Sequence, residues 1–218
     1  MAMKQITRRR FLSNSAVAGA GIATLAAAPS AALGRASRND TLRVAIVGPG
    51  GRGQSLMREF FECAKQYYAQ MTGVCDVWTR RRDEAIELVK EAHGAAPKVY
   101  RRLDDVLADK DIDAVIIGTA DHQHAKMLQA SVEAGKDVYV EKPGSHCFRE
   151  GRLLVEAARK YKRIVQHGTQ MRSSDVTKRA AESLASGILG EIRMTKAWNV
   201  QGHSEIPPVA DEPIPSGV

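Results

Sequence analysis

The feature that most constrains this chain is a glycine loop set between two kinds of periodicity. Thr41-Leu42-Arg43-Val44-Ala45-Ile46-Val47 is a short β-branched run, and it ends at Gly48-Pro49-Gly50-Gly51-Arg52-Gly53, the spacing G-x-G-x-x-G. Residues 51–69 then read as a helix, with Leu56, Phe60, Cys63 and Tyr67 spaced for one inward face. A strand, a tight turn and a helix in that order form the setting in which such a loop binds a dinucleotide. Gly48 permits the turn, Gly50 lets the backbone approach a diphosphate, and Gly53 lets helix and strand pack closely. The free N–H groups and positive dipole end of the helix favour the diphosphate, and Arg52 can add charge there. Asp76 ends a second predicted strand, Thr72 to Val77, about 20 residues past the loop, where a carboxylate accepts hydrogen bonds from both ribose hydroxyls of the adenosine half and repels a 2′-phosphate. NAD is therefore expected, and the run Arg80-Arg81-Arg82 keeps NADP open. On these features alone an S-adenosylmethionine methyltransferase is the rival reading, because it too uses a glycine-rich first loop and an acid on the second strand.

The rest of the body continues to alternate strand with helix. Helices are expected over Arg80 to Glu91 (burying Ala85, Ile86, Leu88 and Val89), Leu103 to Leu107, His124 to Glu133, and Arg149 to Tyr161 (Leu153, Leu154, Ala157 and Ala158 inward). Strands are expected at Lys98–Tyr100, Ile112–Ile117, Asp137–Val140 and Ile164–Gln166. This order predicts an α/β fold of the Rossmann type, a doubly wound parallel sheet covered on both faces.

The formal charge of +7 belongs to the leader. Lys4, Arg8, Arg9, Arg10, Arg35 and Arg38 meet no acid within residues 1–38, so the remaining chain is nearly neutral and has no electrostatic reason to hold nucleic acid. Thr7-Arg8-Arg9-Arg10-Phe11-Leu12 fits the twin-arginine pattern, and an Ala- and Gly-rich apolar stretch without a polar face follows from Ala16 to Ala32. Export to the periplasm or beyond through the twin-arginine machinery is expected, with cleavage after Ala26-Ala27-Ala28 or near Gly34 and no stable membrane anchor. That route carries folded proteins, so a cofactor can be loaded before export. Cys63, Cys75 and Cys147 make neither a disulfide framework nor a zinc spacing.

Two further segments carry a resemblance. Gly118-Thr119-Ala120-Asp121-His122-Gln123-His124 leaves the fourth strand, and Glu141-Lys142-Pro143 leaves the fifth. With the glycine loop and Asp76 in the same order, roughly residues 41–200 resemble the Gfo/Idh/MocA family, named for glucose–fructose oxidoreductase and inositol dehydrogenase. The resemblance implies that Lys142 contacts substrate and nicotinamide ribose and takes part in proton transfer, a role that a cationic neighbour aids by easing loss of the lysine proton. It implies that Glu141 contacts the cofactor, that Pro143 shapes the turn, and that Thr119 and His124 line the nicotinamide side, with Ala120 in place of the usual proline. It places Gln170 and Arg172 where the cofactor domain passes into a second domain, with Gln170 as a further cofactor contact.

Plainer readings stand beside these. Lys142 can be an ordinary exposed lysine, His122 and His124 read as loop residues without a third metal ligand, and Trp78 either stacks on adenine or caps the sheet edge. The twin-arginine pattern and the resemblance together divide the chain into a leader (1–38), a dinucleotide-binding domain (39–168) and the opening of a second α/β domain (169–218), where residues 174–188 read as a helix and Glu191 to Trp198 as a strand. A Pro-rich stretch from Ile206 to Val218 follows, and the residues the family uses to choose substrate are expected beyond it, so the chain reads as a fragment. For a full-length protein a homo-oligomer is open, since family members often pair through that second domain. Three functions follow: hydride transfer between nicotinamide and a sugar or polyol, NAD-dependent glycoside hydrolysis without net redox change, or a nucleotide-binding remnant without turnover.

Overall fold

A computed structural model describes residues 41–198 and 213–218. The expected leader lies outside the described residues, as does most of the Pro-rich stretch. Six strands form one parallel sheet: β1 (Leu42–Val47), β2 (Ala69–Cys75), β3 (Lys98–Tyr100), β4 (Ala114–Ile117), β5 (Asp137–Val140) and β6 (Val165–His167). Their order is β3-β2-β1-β4-β5-β6. The helices between them are α1 (Gly51–Ala64), α2 (Thr79–His93), α3 (Leu103–Ala108), α4 (His124–Glu133) and α5 (Phe148–Tyr161), and α6 (Asp175–Ala185) follows the last strand.

The sheet is buried because its strands are apolar on both faces, which a parallel sheet with helical crossovers requires. Val44, Ala45, Ile46 and Val47 of β1 are all buried. Val44 and Ile46 face α1 and α2, meeting Leu56, Met57, Ala85 and Val89. Ala45 and Val47 face the other way, meeting Val106 of α3, Leu128 and Val132 of α4, and Leu154 and Ala157 of α5. The strand order reverses at β1, where the connection that follows β3 crosses over to β4. The crevice at such a reversal, outside the carboxyl ends of the strands, is where open α/β sheets bind ligands.

Several boundaries and faces differ from expectation, β4 beginning at Ala114 and not Ile112 and β6 running Val165–His167 and not Ile164–Gln166 among them. Helix α1 stops at Ala64, not near residue 69, and β2 begins at Ala69, not Thr72. Tyr68 adopts a left-handed conformation (φ 50°), which breaks the helix although Tyr67 continues its apolar spacing. Of the expected inward face, Leu56 is buried and Phe60 packs partly buried against the core, Met57 and Ala64 join them, and Cys63 and Tyr67 are exposed. In α5, Leu154 and Ala157 are buried but Leu153 is 44% exposed, because its position points away from β5. Residues 191–198 form no strand and are exposed. A strand exists only through a partner's ladder, and no described segment pairs with this one. Helix α6 likewise buries none of its residues.

Candidate functional site

The glycine loop leaves β1 at Gly48, whose φ of +80° suits a residue without Cβ. It is also pressed against the fourth-strand loop: a Cβ on Gly48 would stand 2.6 Å from Thr119 Cγ2. A Cβ on Gly53 would collide with the Gly48 carbonyl oxygen, so Gly53 allows α1 to sit down on the end of β1. Gly50 differs, since a Cβ there would meet nothing within 4 Å. Gly50 is the N-cap of α1, with no side-chain cap and no acid in the first turn. The first N–H groups of α1 are thus left for an anion.

A cleft of about 590 Å³ opens beside this loop. Gly48, Gly50, Asp76, Trp78, Thr119 and Gln123 line it, along with Arg81, Arg101, Leu103 and Met127. Asp76 is half-buried at the end of β2, and its Oδ1 accepts the Trp78 N–H at 2.8 Å, which fixes the carboxylate at the cleft wall. Burial pushes the neighbouring Cys75 thiol up to about 12, with the Asp76 charge adding to the effect, so Cys75 is a core residue and not a nucleophile.

The arginine run after Asp76 is largely committed. Arg80 and Arg81 both pair with Glu84 at 2.9 Å. Their guanidinium groups lie 5.6 and 5.3 Å from the centre of the Trp78 ring. Arg82 donates to the carbonyls of Asp76 and Val77 and to Thr79 Oγ1. Thr79 in turn donates from N and Oγ1 to the Gly217 carbonyl, at 2.9 and 2.7 Å, and the adjoining Val218 lines the cleft.

The expected nicotinamide-side residues divide into two groups. Thr119 lines the cleft, and Lys142 is exposed on the turn after β5, where its ammonium makes no hydrogen bond among the described residues. His124 is buried behind them (1% exposed). Its Nδ1 lies 2.7 Å from the Pro143 carbonyl and its Nε2 lies 3.1 Å from the Thr119 carbonyl. A neutral imidazole can donate to only one of these two acceptors. His124 thus stands between the loop after β4 and the turn after β5, within hydrogen-bonding reach of both, and does not present its ring to the cleft. The peptide bond between Lys142 and Pro143 is cis. His122 is exposed, and among the described residues no group of three His, Cys, Asp or Glu side chains could hold a metal ion.

Arg52 and Glu141 also lie outside the cleft lining. Arg52 Nε donates to Glu141 Oε1 at 2.8 Å and Nη1 to Glu59 Oε1 at 2.9 Å, while Nη2 is buried without a partner among the described residues. Glu141 is 3% exposed, and its other oxygen accepts the Lys142 N–H at 3.0 Å. The side chain expected on the diphosphate thus faces the acid expected on the cofactor. Gln170 sits in an exposed 3-10 turn (Gln170–Ser173) away from the cleft, because the chain leaves the sheet at Gly168 and turns outward. Gln123, Met127 and Leu103 are cleft residues that the sequence reading did not single out. The first two lie four residues apart near the start of α4, and that helical spacing was their available signal.

These features define a dinucleotide-binding Rossmann domain. An open approach at Gly50, an uncapped helix end and an acid held at the cleft wall all suit a nicotinamide dinucleotide. The chain belongs to the Gfo/Idh/MocA oxidoreductase family: the family profile described as an NAD-binding Rossmann fold matches residues 42–169. A glycosyl hydrolase family 109 protein of Shewanella baltica is 30% identical over 175 residues, which cover 72% of this chain and 38% of that protein. An inositol 2-dehydrogenase/D-chiro-inositol 3-dehydrogenase of Shouchella clausii is 30% identical over 161 residues, covering 72% of this chain and 44% of its own length. Among solved structures, the WlbA dehydrogenase of Chromobacterium violaceum, in complex with NADH and UDP-GlcNAcA, superimposes with a TM-score of 0.63 at 25% identity, covering 69% of this chain and 41% of its own. The scyllo-inositol dehydrogenase of Lactobacillus casei, with bound NAD(H) and scyllo-inositol, shares the fold with a TM-score of 0.61 at 24% identity over 69% of this chain and 43% of its own. The chain spans about two fifths of the length of these relatives.

Proposed function

We propose that this chain is the NAD-binding part of an exported oxidoreductase that moves a hydride between nicotinamide and a hydroxyl-bearing carbon of a sugar or polyol. The observation that carries the reading is that the glycine loop, Asp76, Thr119 and Lys142 all follow the carboxyl ends of four adjacent strands of one sheet, the first three lining the cleft and Lys142 exposed outside its lining with no hydrogen bond from its ammonium among the described residues. NAD, when bound, supplies the hydride acceptor or donor. The protein's own part is to hold the diphosphate on α1, to fix the adenosine ribose at Asp76, and to hold or release a proton at Lys142 Nζ next to the reacting hydroxyl. The family's polyol and sugar dehydrogenases support this substrate class.

The decisive experiment uses the protein as purified from its source. NADH formation is followed with a panel of polyols and sugars, beside Lys142→Ala. Turnover is expected in the native protein, with a loss of about 10²-fold or more in Lys142→Ala and NADH affinity kept. Lys142→Ala retaining full turnover would refute the assignment. The glycosyl hydrolase name of the relatives at 30% identity supports a second reading, glycoside hydrolysis with NAD returned unchanged. A released sugar without net NADH selects it. Export is tested by fractionation: the wild type is expected outside the cytoplasm and Arg8→Lys with Arg9→Lys inside, and equal distribution would overturn it.

A further inference from the structure

We infer that Arg52 is a positioning residue for Lys142, acting through Glu141, and that this pair mechanically joins the diphosphate loop to the proton-transfer turn. The inference deepens the proposed function and rests on it for the role of Lys142. Arg52 stands in the first turn of α1, the turn whose N–H groups face the diphosphate, yet its side chain points away from the cleft. It spans to Glu141, 89 residues on, at 2.8 Å.

Three constraints leave Glu141 no other place to go. Its carboxylate is almost wholly buried, and a buried charge is costly unless paired and hydrogen-bonded. Arg52 is its only ion-pair partner among the described residues. Gly168 closes over it: a Cβ there would stand 2.5 Å from Tyr139 Oη and 3.2 Å from Glu141 Oε1. Its second oxygen holds the Lys142 N–H, so the backbone from which the lysine springs is fixed by the same carboxylate. On the far side of the turn, His124 Nδ1 lies 2.7 Å from the Pro143 carbonyl. Lys142 is thus fixed directly at the peptide before it, with a second contact one residue further on at the Pro143 carbonyl, while its ammonium makes no hydrogen bond among the described residues. Removing Arg52 takes away the one ion-pair partner of Glu141 among the described residues and leaves it the long Tyr139 hydroxyl contact at 3.5 Å and the Lys142 N–H. The buried carboxylate is then drawn toward water, which loosens its hold on the Lys142 N–H.

The test uses the intact protein loaded with NAD and the variants Arg52→Met, Arg52→Lys and Glu141→Gln. Three quantities are measured: NADH affinity by fluorescence titration, kcat and KM for the hydroxyl substrate, and hydrogen exchange at the Lys142 amide. Arg52→Met is expected to keep NADH affinity within about threefold, lower kcat by about tenfold or more, and speed Lys142 amide exchange by about tenfold or more, with Arg52→Lys restoring part of each loss. Glu141→Gln keeps the volume but loses the charge that Arg52 holds in place, so its side chain is no longer locked and the same split is expected if Arg52→Met fails to fold. NADH affinity falling about tenfold with amide exchange unchanged would overturn the inference and assign the unpaired Nη2 to the diphosphate. No change in any quantity would overturn it too, leaving a surface pair. If the native protein turns over no substrate, the proposed function fails, and the exchange comparison still decides whether Arg52 holds the turn.

Discussion

Gly50→Ala separates binding from folding more cleanly than any other substitution in the loop. At φ −72° and ψ −164°, Gly50 has a backbone open to any L-residue, and the added methyl would meet no atom within 4 Å. A stiffer unfolded chain adds about 0.4–1 kcal/mol, and exchanging a glycine N-cap for alanine takes back a similar amount. Tm should therefore move by no more than about 4 °C for a domain of this size. The methyl would stand in the cleft beside the uncapped end of α1. Holding a diphosphate off even one of those N–H groups removes a hydrogen bond to a charged acceptor, about 1.5–3 kcal/mol, so NADH affinity should fall about 10- to 150-fold. Gly53→Ala is the opposite case. Its methyl collides with the Gly48 carbonyl oxygen, and overpacking of about 1–3 kcal/mol should lower Tm by about 2–12 °C. Thermal melts and NADH titrations of both variants give the assay. A Gly50→Ala protein that binds NADH within about twofold of the wild type would refute the placement of the diphosphate on this loop.

Other outcomes follow from the same geometry. Asp76→Ser removes a carboxylate that is held at the cleft wall with Arg81 and Arg101 nearby, so the preference for NADH over NADPH should narrow by about tenfold or more in parallel titrations; an unchanged ratio would remove Asp76 from the ribose site. The Lys98 ammonium, and after it the Tyr100 hydroxyl, hold the Asp109 carboxyl well below the usual carboxylate range, and the Arg43 guanidinium depresses Asp113. Depressed values mean stability that is complete above the ordinary carboxylate pKa of about 3.9 and is lost as pH falls through the folded-state values. Urea midpoints should therefore decline below about pH 4, and less steeply in Asp109→Asn; parallel declines in the two proteins would contradict the assignment.

The sheet was legible in the sequence because its signals are local. A β-branched run, a glycine loop and a charged helix each announce themselves within a few residues, and the boundaries of β3, α4 and β5 fall where their patterns place them. The end of α1 was not legible, since Tyr67 keeps the helical spacing and only the left-handed turn at Tyr68 breaks it. Residues 191–198 carry strand-like residues, but pairing is a property of a neighbour and not of the segment. The cleft residues Gly48, Gly50, Asp76 and Thr119 were legible from motif order. The directions taken by Arg52, Glu141 and His124 were not, because each depends on a contact between distant loops: 89 residues separate Arg52 from Glu141, and 19 separate His124 from Pro143.

The amino ends of the strands carry their own polar belt, remote from the cleft. Arg43 at the start of β1 grips Asp111 and Asp113, Lys98 at the start of β3 grips Asp109, and the buried Lys136 just before β5 donates to the carbonyls of Asp109 and Ile112. Arg163 extends the belt across the foot of β5 by donating to the Gly135 carbonyl. The belt shares no residue with the lining of the cleft. One end of the sheet is thus an anchor and the other a workbench. Loops on the workbench can be exchanged for new specificities while the anchor keeps the strands in register, and a protein engineer can strengthen the anchor without touching the chemistry.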